Sequence, residues 1–137
     1  MITAVDTNIL IDVFAADKTF GEQSAKLLKQ CIQEGVVCAC EIVWTETATV
    51  FPNRAAFNHA IETLGIEFSP MQSDAAIIAA TAWRQYRDKG GKRERVVADF
   101  LIGAHGITQC DRLLTRDRGF YRHYFSALAI LDPSVQI

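Results

Sequence analysis

Four carboxylates stand in this chain where a charge is expensive. Asp6 in Val5-Asp6-Thr7-Asn8, Glu46 in Trp44-Thr45-Glu46, Asp99 in Val97-Ala98-Asp99-Phe100 and Asp117 in Leu114-Thr115-Arg116-Asp117 each end an apolar strand or lie on a mostly apolar helix. An unpaired charge at such positions costs several kcal/mol, so four of them in a small domain ask for a cation. Carboxylates without a partnering His or Cys form an oxygen-only donor set, which suits Mg²⁺ or Mn²⁺ better than zinc. Ions of that kind keep waters and leave room for a substrate phosphate. The chemistry they support is in-line phosphodiester displacement, in which one ion lowers the pKa of its bound water and a second stabilises the leaving oxygen.

Thr7, Asn8 and Thr115 flank the acids with short hydroxyl and amide groups, suited to orienting carboxylates or waters. Asn8 has a bland alternative as the cap of the first helix. Gly103, one helical turn after Asp99, either admits a ligand or permits close helix packing. His59, His105 and His123 show no ligand spacing to the acids and read as ordinary surface or partly packed residues.

The elements that must position these groups follow from hydrophobic pattern and punctuation. Ile2 to Val5 reads as a buried strand and Asn8 to Phe14 as a helix with Ile9, Leu10 and Val13 inward. Gly21 to Glu34 is a helix apolar at Ala25, Leu28 and Ile32 and closed by Gly35, followed by a strand at Val36 to Ala39. Ile42 to Phe51 is a helix stopped by Pro52, and Asn53 caps another that runs to Gly65. A brief strand at Ile66 to Phe68 precedes a long helix capped by Ser73 and running through Tyr86. A further helix carries Val96, Val97, Phe100, Leu101 and Ala104. Arg112 to Thr115 is a strand, Gly119 to Tyr124 a helical turn, and Leu128 to Leu131 the last strand. Short strands alternating with helices predict an α/β three-layer sandwich, a short parallel sheet flanked by helices, because parallel strands need crossover connections. Ligands in such folds gather at the carboxyl ends of the strands. Asp6 and Asp117 belong on that edge, and Glu46 and Asp99 lie on helices that leave or flank it.

A 137-residue chain that is 50% hydrophobic predicts one domain over residues 1–137, burying roughly two-thirds of its unfolded surface without disulfides or structural metal. The net charge of −2 hides an asymmetry. Residues 1–83 hold four bases against ten acids, whereas residues 84–137 hold ten bases against six acids. The bases of 84–95 and 112–122 form a local positive surface that fits phosphates, although a charge run is more often a solvated face. Lys92, Arg93 and Arg95 precede Asp99, and Arg112, Arg116 and Arg118 bracket Asp117, so both groups are expected to border the acids and track a nucleic-acid backbone. Cys31, Cys38, Cys40 and Cys110 contain no Cys-x-x-Cys pair and no His at zinc spacing, so neither a zinc site nor a disulfide framework is suggested, and reduced, mostly buried thiols in a cytoplasmic protein are expected. Asp6 and Asp12 interrupt the first apolar run, which argues against a signal peptide or membrane span.

On Val5-Asp6-Thr7-Asn8-Ile9-Leu10-Ile11-Asp12, Thr45-Glu46, Ala98-Asp99-Phe100-Leu101-Ile102-Gly103-Ala104-His105 and Leu113-Leu114-Thr115-Arg116-Asp117-Arg118-Gly119-Phe120-Tyr121, the chain resembles the PIN domains. Within that family it is similar to the VapC toxins of prokaryotic toxin–antitoxin pairs. The resemblance spans nearly the whole chain in the family's order. It implies a Mg²⁺- or Mn²⁺-dependent endoribonuclease whose acidic quartet is Asp6, Glu46, Asp99 and Asp117, a homodimer, and silencing by a cognate antitoxin protein. It also puts Asp12 outside the quartet and makes Arg116 a frequent residue of the last motif. Cys38-Ala39-Cys40-Glu41 departs from the Ser/Thr-rich turn common in such proteins.

Three other readings compete. A solitary RNA-processing nuclease of the same family would lack the antitoxin, and a small neighbouring reading frame would separate the two. A binding module would keep the fold without catalysis, against the complete quartet. A phospho-acceptor signalling domain would want paired acids after the first strand and a late Lys, whereas this chain has one Asp there and no Lys beyond Lys92.

Overall fold

The structure, a computed structural model, describes residues 1–90 and 97–135. Five strands form one parallel sheet: β1 (Ile2–Val5), β2 (Val36–Ala39), β3 (Glu67–Phe68), β4 (Arg112–Leu114) and β5 (Ile130–Leu131), in the order β3-β2-β1-β4-β5. Among the described residues the helices are α1 (Thr7–Phe14), α2 (Gly21–Glu34), α3 (Glu41–Ala48), α4 (Arg54–Leu64), α5 (Ser73–Asp88), α6 (Val97–Gln109) and α7 (Arg118–Tyr124). Three consecutive residues of β1 (Thr3, Ala4, Val5) and of β2 (Val37, Cys38, Ala39) are buried. Successive side chains point to opposite faces, so both faces of the central strands are covered by helices, as the α/β sandwich expectation requires.

The core joins Ile9, Leu10 and Val43 on one helical set to Phe100, Ile102 and Ala104 on α6 and Leu113 and Leu114 on β4. No helix among the described residues is long and apolar enough to cross a membrane.

Several local expectations shift. Asp6, rather than Asn8, caps α1, its carboxylate accepting from the Thr7 N–H. The inward face of α2 is Gly21, Ser24, Leu28 and Cys31 while Ala25 is exposed, because the helix turns a small face toward the first helix's Asp12, whose carboxylate takes the Ser24 hydroxyl at 2.9 Å. Helix α3 stops at Ala48, three residues before Phe51, and its last turn loosens where Thr49 bonds back to the Glu46 carbonyl. Gln72, which makes no side-chain capping bond, holds the N-cap position of α5, and Ser73 is the first helical residue. Strands β3, β4 and β5 are each shorter than expected by one or two residues. Val96 lies outside the described residues. Gly35 does follow α2, and its role is close approach: a Cβ there would sit 2.0 Å from the Met1 carbonyl oxygen.

Candidate functional site

Strand order reverses between β1 and β4, and the carboxyl ends of those two strands define the crevice where a parallel sheet of this kind offers its ligand site. The backbone N–H of Asp6 donates to the Leu114 carbonyl at 2.9 Å, which extends the ladder by one step and fixes Asp6 beside the chain leaving β4.

Asp6 is 6% exposed, and its two oxygens meet a dense set of donors. Oδ1 accepts from the Thr7 N–H at 2.7 Å; Oδ2 accepts from the Thr115 hydroxyl at 2.8 Å, the Tyr121 hydroxyl at 3.0 Å and the Asn8 amide at 3.5 Å. Burial raises the Asp6 pKa from 3.8 to about 6, further lifted by the charge of Asp99, while the bonds from Thr115, Tyr121 and Thr7 hold it down.

The other acids converge around the same point. Tyr121, fully buried, has its pKa pushed well above the usual phenol value, first by burial and then by the charges of Asp6, Asp99 and Asp117 and its bond to Asp6. Asp6 bonds the Tyr121 hydroxyl directly, and the charges of Asp99 and Asp117 are near enough to be felt there. Glu46 is exposed and joins through Thr7: the Thr7 hydroxyl donates to Glu46 Oε1 at 2.7 Å while the Thr7 N–H holds Asp6. Its neighbour Glu41 is committed elsewhere, both oxygens taking the Met71 N–H at 3.0 and 3.2 Å. Thr115, fully buried, ties two acids together, since its hydroxyl donates to Asp6 and accepts from the Asp117 N–H at 3.0 Å. Asn8 completes the frame by accepting from the Arg116 N–H at 3.2 Å.

Among the described residues, no three of these carboxylates bring their oxygens within 4.8 Å of one another. A Mg²⁺ ion commonly keeps several of its waters and takes only one or two carboxylates directly, so a looser arrangement of acids is compatible with it.

Aromatic packing sets the positions of Asp99 and Asp117. Phe100, next to Asp99, meets Phe120 at 5.1 Å and Tyr124 at 5.5 Å, edge-on, and so clamps α7 to α6. Gly103 serves the same contact: a Cβ there would fall 2.4 Å from the Phe125 ring, so its role is helix packing and not ligand approach.

The basic residues divide. Arg116 is bound in a two-pronged ion pair to the buried Asp12, at 2.6 and 3.0 Å, with its guanidinium 4.1 Å from the Phe20 ring centre. Arg112 stands at the start of β4, on the sheet edge opposite the acids, bonded to Thr3 at 2.8 Å and Glu34 at 3.3 Å. Neither borders the acids as a free phosphate ligand, because each guanidinium is spent on a partner distant in sequence. Arg118 opens α7 directly after Asp117 and lines a hollow with Arg122, Ser126, Leu128 and Ile130. Lys92, Arg93 and Arg95 lie outside the described residues.

Sequence reasoning missed two residues. Tyr121 was visible inside the last motif, four residues after Asp117, where one helical turn returns it toward the acid. His105, read as an ordinary surface or partly packed residue, is 1% exposed, and burial lowers its pKa below the usual histidine value, leaving a neutral ring at neutral pH.

The PIN domain family matches residues 3–126. No curated protein sequence matches the chain. Among solved structures, the VapBC2 complex of Rickettsia felis bound to a DNA fragment from its promoter is similar, at 15% identity and TM-score 0.74 over 96% of this chain and 98% of the other. VapBC-1 of nontypeable Haemophilus influenzae is similar at 17% identity and TM-score 0.75 over 98% of this chain and 100% of the other. A toxin–antitoxin complex from Klebsiella pneumoniae aligns at 18% identity and TM-score 0.65, covering 98% of this chain and 99% of the other. At these identities the likeness establishes the fold.

Proposed function

The chain belongs to the PIN-domain family, and from that premise we propose that it is a divalent-metal-dependent endoribonuclease, a hydrolase acting as the VapC-type toxin of a toxin–antitoxin pair in the cytoplasm. The observation that carries the reading is Asp6: a buried carboxylate, held at a pKa of about 6 by burial and by Asp99, within a ring of hydroxyl donors. Folding tolerates such a group where a cation is meant to relieve it.

The residues fit Mg²⁺ or Mn²⁺. Asp6, Glu46, Asp99 and Asp117 would hold the ion with oxygen donors alone. When bound, it supplies Lewis acidity toward water and toward the scissile phosphate. The remaining work falls to the chain's own side chains. Thr115 and Tyr121 occupy Asp6 Oδ2, which leaves Oδ1, met by the Thr7 N–H, as the oxygen with capacity to face a cation. Thr7 sets the reach of Glu46, and Asn8 and Thr115 hold the loop that presents Asp117. Lys92, Arg93, Arg95 and Arg118 are the bases assigned to the RNA backbone, with Arg112 and Arg116 serving the fold.

A cognate antitoxin is the proposed partner, by analogy with the toxin–antitoxin and VapBC complexes of the similar structures. An inserted Arg or Lys among the four acids, backed by apolar contacts, would block the site by imitating the ion's charge. A homodimer is proposed for the nuclease itself.

Cleavage of RNA by the purified chain, titrated with Mg²⁺ or Mn²⁺ and then with EDTA, tests the reading. Activity should appear with the ion, vanish with EDTA, and fall by orders of magnitude in Asp99→Asn while that variant keeps its fold. Activity that survives EDTA refutes metal dependence; an unfolded Asp99→Asn makes Asp99 a structural residue.

A further inference from the structure

A second group of potential ligands sits away from the carboxylates. Cys38 on β2, His105 on α6 and Cys110 in the turn between α6 and β4 each offer one donor atom, and the three atoms lie within 4.8 Å of one another. The two sulfurs are 3.5 Å apart, and the His105 Nε2 is 2.9 Å from the Ser69 hydroxyl. Cys38 and His105 are 4% and 1% exposed, whereas Cys110 is half-buried and opens the cluster toward solvent.

We propose that Cys38, His105 and Cys110 form a binding site for a thiophilic divalent cation, zinc above all, separate from the carboxylate site. Two sulfurs and a neutral imidazole are the donors such an ion prefers, and the oxygen-only set beside Asp6 is not. The spacing is nearly built. With zinc–sulfur bonds of about 2.3 Å and zinc–nitrogen bonds of about 2.0 Å, a tetrahedral site puts its sulfurs about 3.8 Å apart and sulfur and nitrogen about 3.5 Å apart. The sulfur pair has to open by only a few tenths of an ångström. Ser69 supplies an oxygen next to the ring nitrogen, either for the fourth position or to hold a water there. On binding, the two thiols give up their protons to solvent and the ion receives two thiolates and one imidazole nitrogen.

The consequence is mechanical. The ion would join β2 to the middle of α6, and Asp99 lies six residues earlier on the same helix. Occupancy would therefore brace the helix that presents Asp99 without touching the acid. No spacing rule reveals the cluster, since residue 38 meets residues 105 and 110 only through the parallel pairing of β1 with β2 and the return of α6 across the sheet.

The test uses the full chain, stripped of metal and kept under a phosphine reductant, titrated with Co²⁺ and then Zn²⁺. One Co²⁺ per chain should bind with the visible spectrum of tetrahedral thiolate coordination and be displaced by Zn²⁺, with the melting temperature rising in parallel. The same spectrum should persist in Asp99→Asn and disappear in Cys110→Ser. Absence of a thiolate spectrum, or its persistence in Cys110→Ser, overturns the proposal. If Cys110→Ser does not fold, alkylation of the wild-type chain decides: Zn²⁺ should protect Cys38 and Cys110 together, and equal modification with and without Zn²⁺ overturns the site. None of these readouts depends on nuclease activity.

Discussion

Replacing Asp6 with asparagine should stabilise the metal-free protein at neutral pH while abolishing cleavage. Folding raises the Asp6 pKa from 3.8 to about 6. At about 1.36 kcal/mol per unit, this places a penalty of about 3 kcal/mol on the ionised native state. The sign follows from proton counting. Between the two values the native state keeps a proton that the unfolded chain has released, so stability falls as pH rises through that window and the full loss is in place above the folded pKa. Asparagine removes the charge, but its amide N–H must face one of the donors that converge on Asp6 from Thr7, Thr115 and Tyr121, at a cost of about 1 kcal/mol. The net gain is about 2 kcal/mol, or roughly 8 °C in Tm for a chain of this size. Thermal melts of both proteins in EDTA from pH 4 to 8 should show the Tm difference opening as pH rises through the Asp6 window. Saturating Mg²⁺ should then raise the wild type and leave Asp6→Asn unmoved. A difference that is the same at every pH, or that ignores the cation, refutes the reasoning.

Three further outcomes are expected. Tyr121→Phe removes a donor that holds the Asp6 pKa down, so the acid limb of the pH–rate profile should move to higher pH; an unmoved limb would show that Asp6 is not the group that limits activity in acid. Arg116→Ala leaves the buried Asp12 with Ser24 as its remaining side-chain partner among the described residues and should cost about 3 kcal/mol in urea unfolding with RNA affinity unchanged, whereas Arg118→Ala should weaken RNA binding and flatten its salt dependence with stability unchanged. Gly103→Ala drives a methyl into the Phe125 ring and should lower stability by about 1–3 kcal/mol, read by thermal melting.

The parts of this molecule that were legible in the sequence are those set by local chemistry. Val5 followed by Asp6 marks the end of the first strand and Asn53 does cap α4, whereas the α1 cap reads at Asn8 and Gly103 stays open between ligand approach and helix packing. The acids of the first and last motifs lie together because parallel strands put their carboxyl ends on one edge. Partner choice was not legible. Arg112 and Arg116 read as phosphate ligands beside Asp117, yet their guanidiniums find Glu34 and Asp12, and separations of 78 and 104 residues leave no trace in a local pattern. His105 read as ordinary for the same reason: its neighbours Ser69, Cys38 and Cys110 come from other elements. The end of α3 was misplaced because Pro52 marks only where a helix cannot continue, while the chain tightens into successive turns sooner, the Val50 N–H donating to the Thr47 carbonyl and the Phe51 N–H to the Ala48 carbonyl.

The bonds that frame Asp6 bear on when during synthesis the proposed site can form. Asp6, Thr7 and Glu46 leave the ribosome early, but the hydroxyls that complete the frame belong to residues 109 and 115 positions later than Asp6, both beyond the strand that must slot in beside β1. Until that late segment docks, Asp6 has neither Thr115 nor Tyr121, and Asp117 has no fixed place. A half-made chain thus lacks a complete proposed site. For a protein proposed to cut RNA, the reversal of strand order at the centre of the sheet acts as a timing device, withholding the blade until synthesis is almost finished.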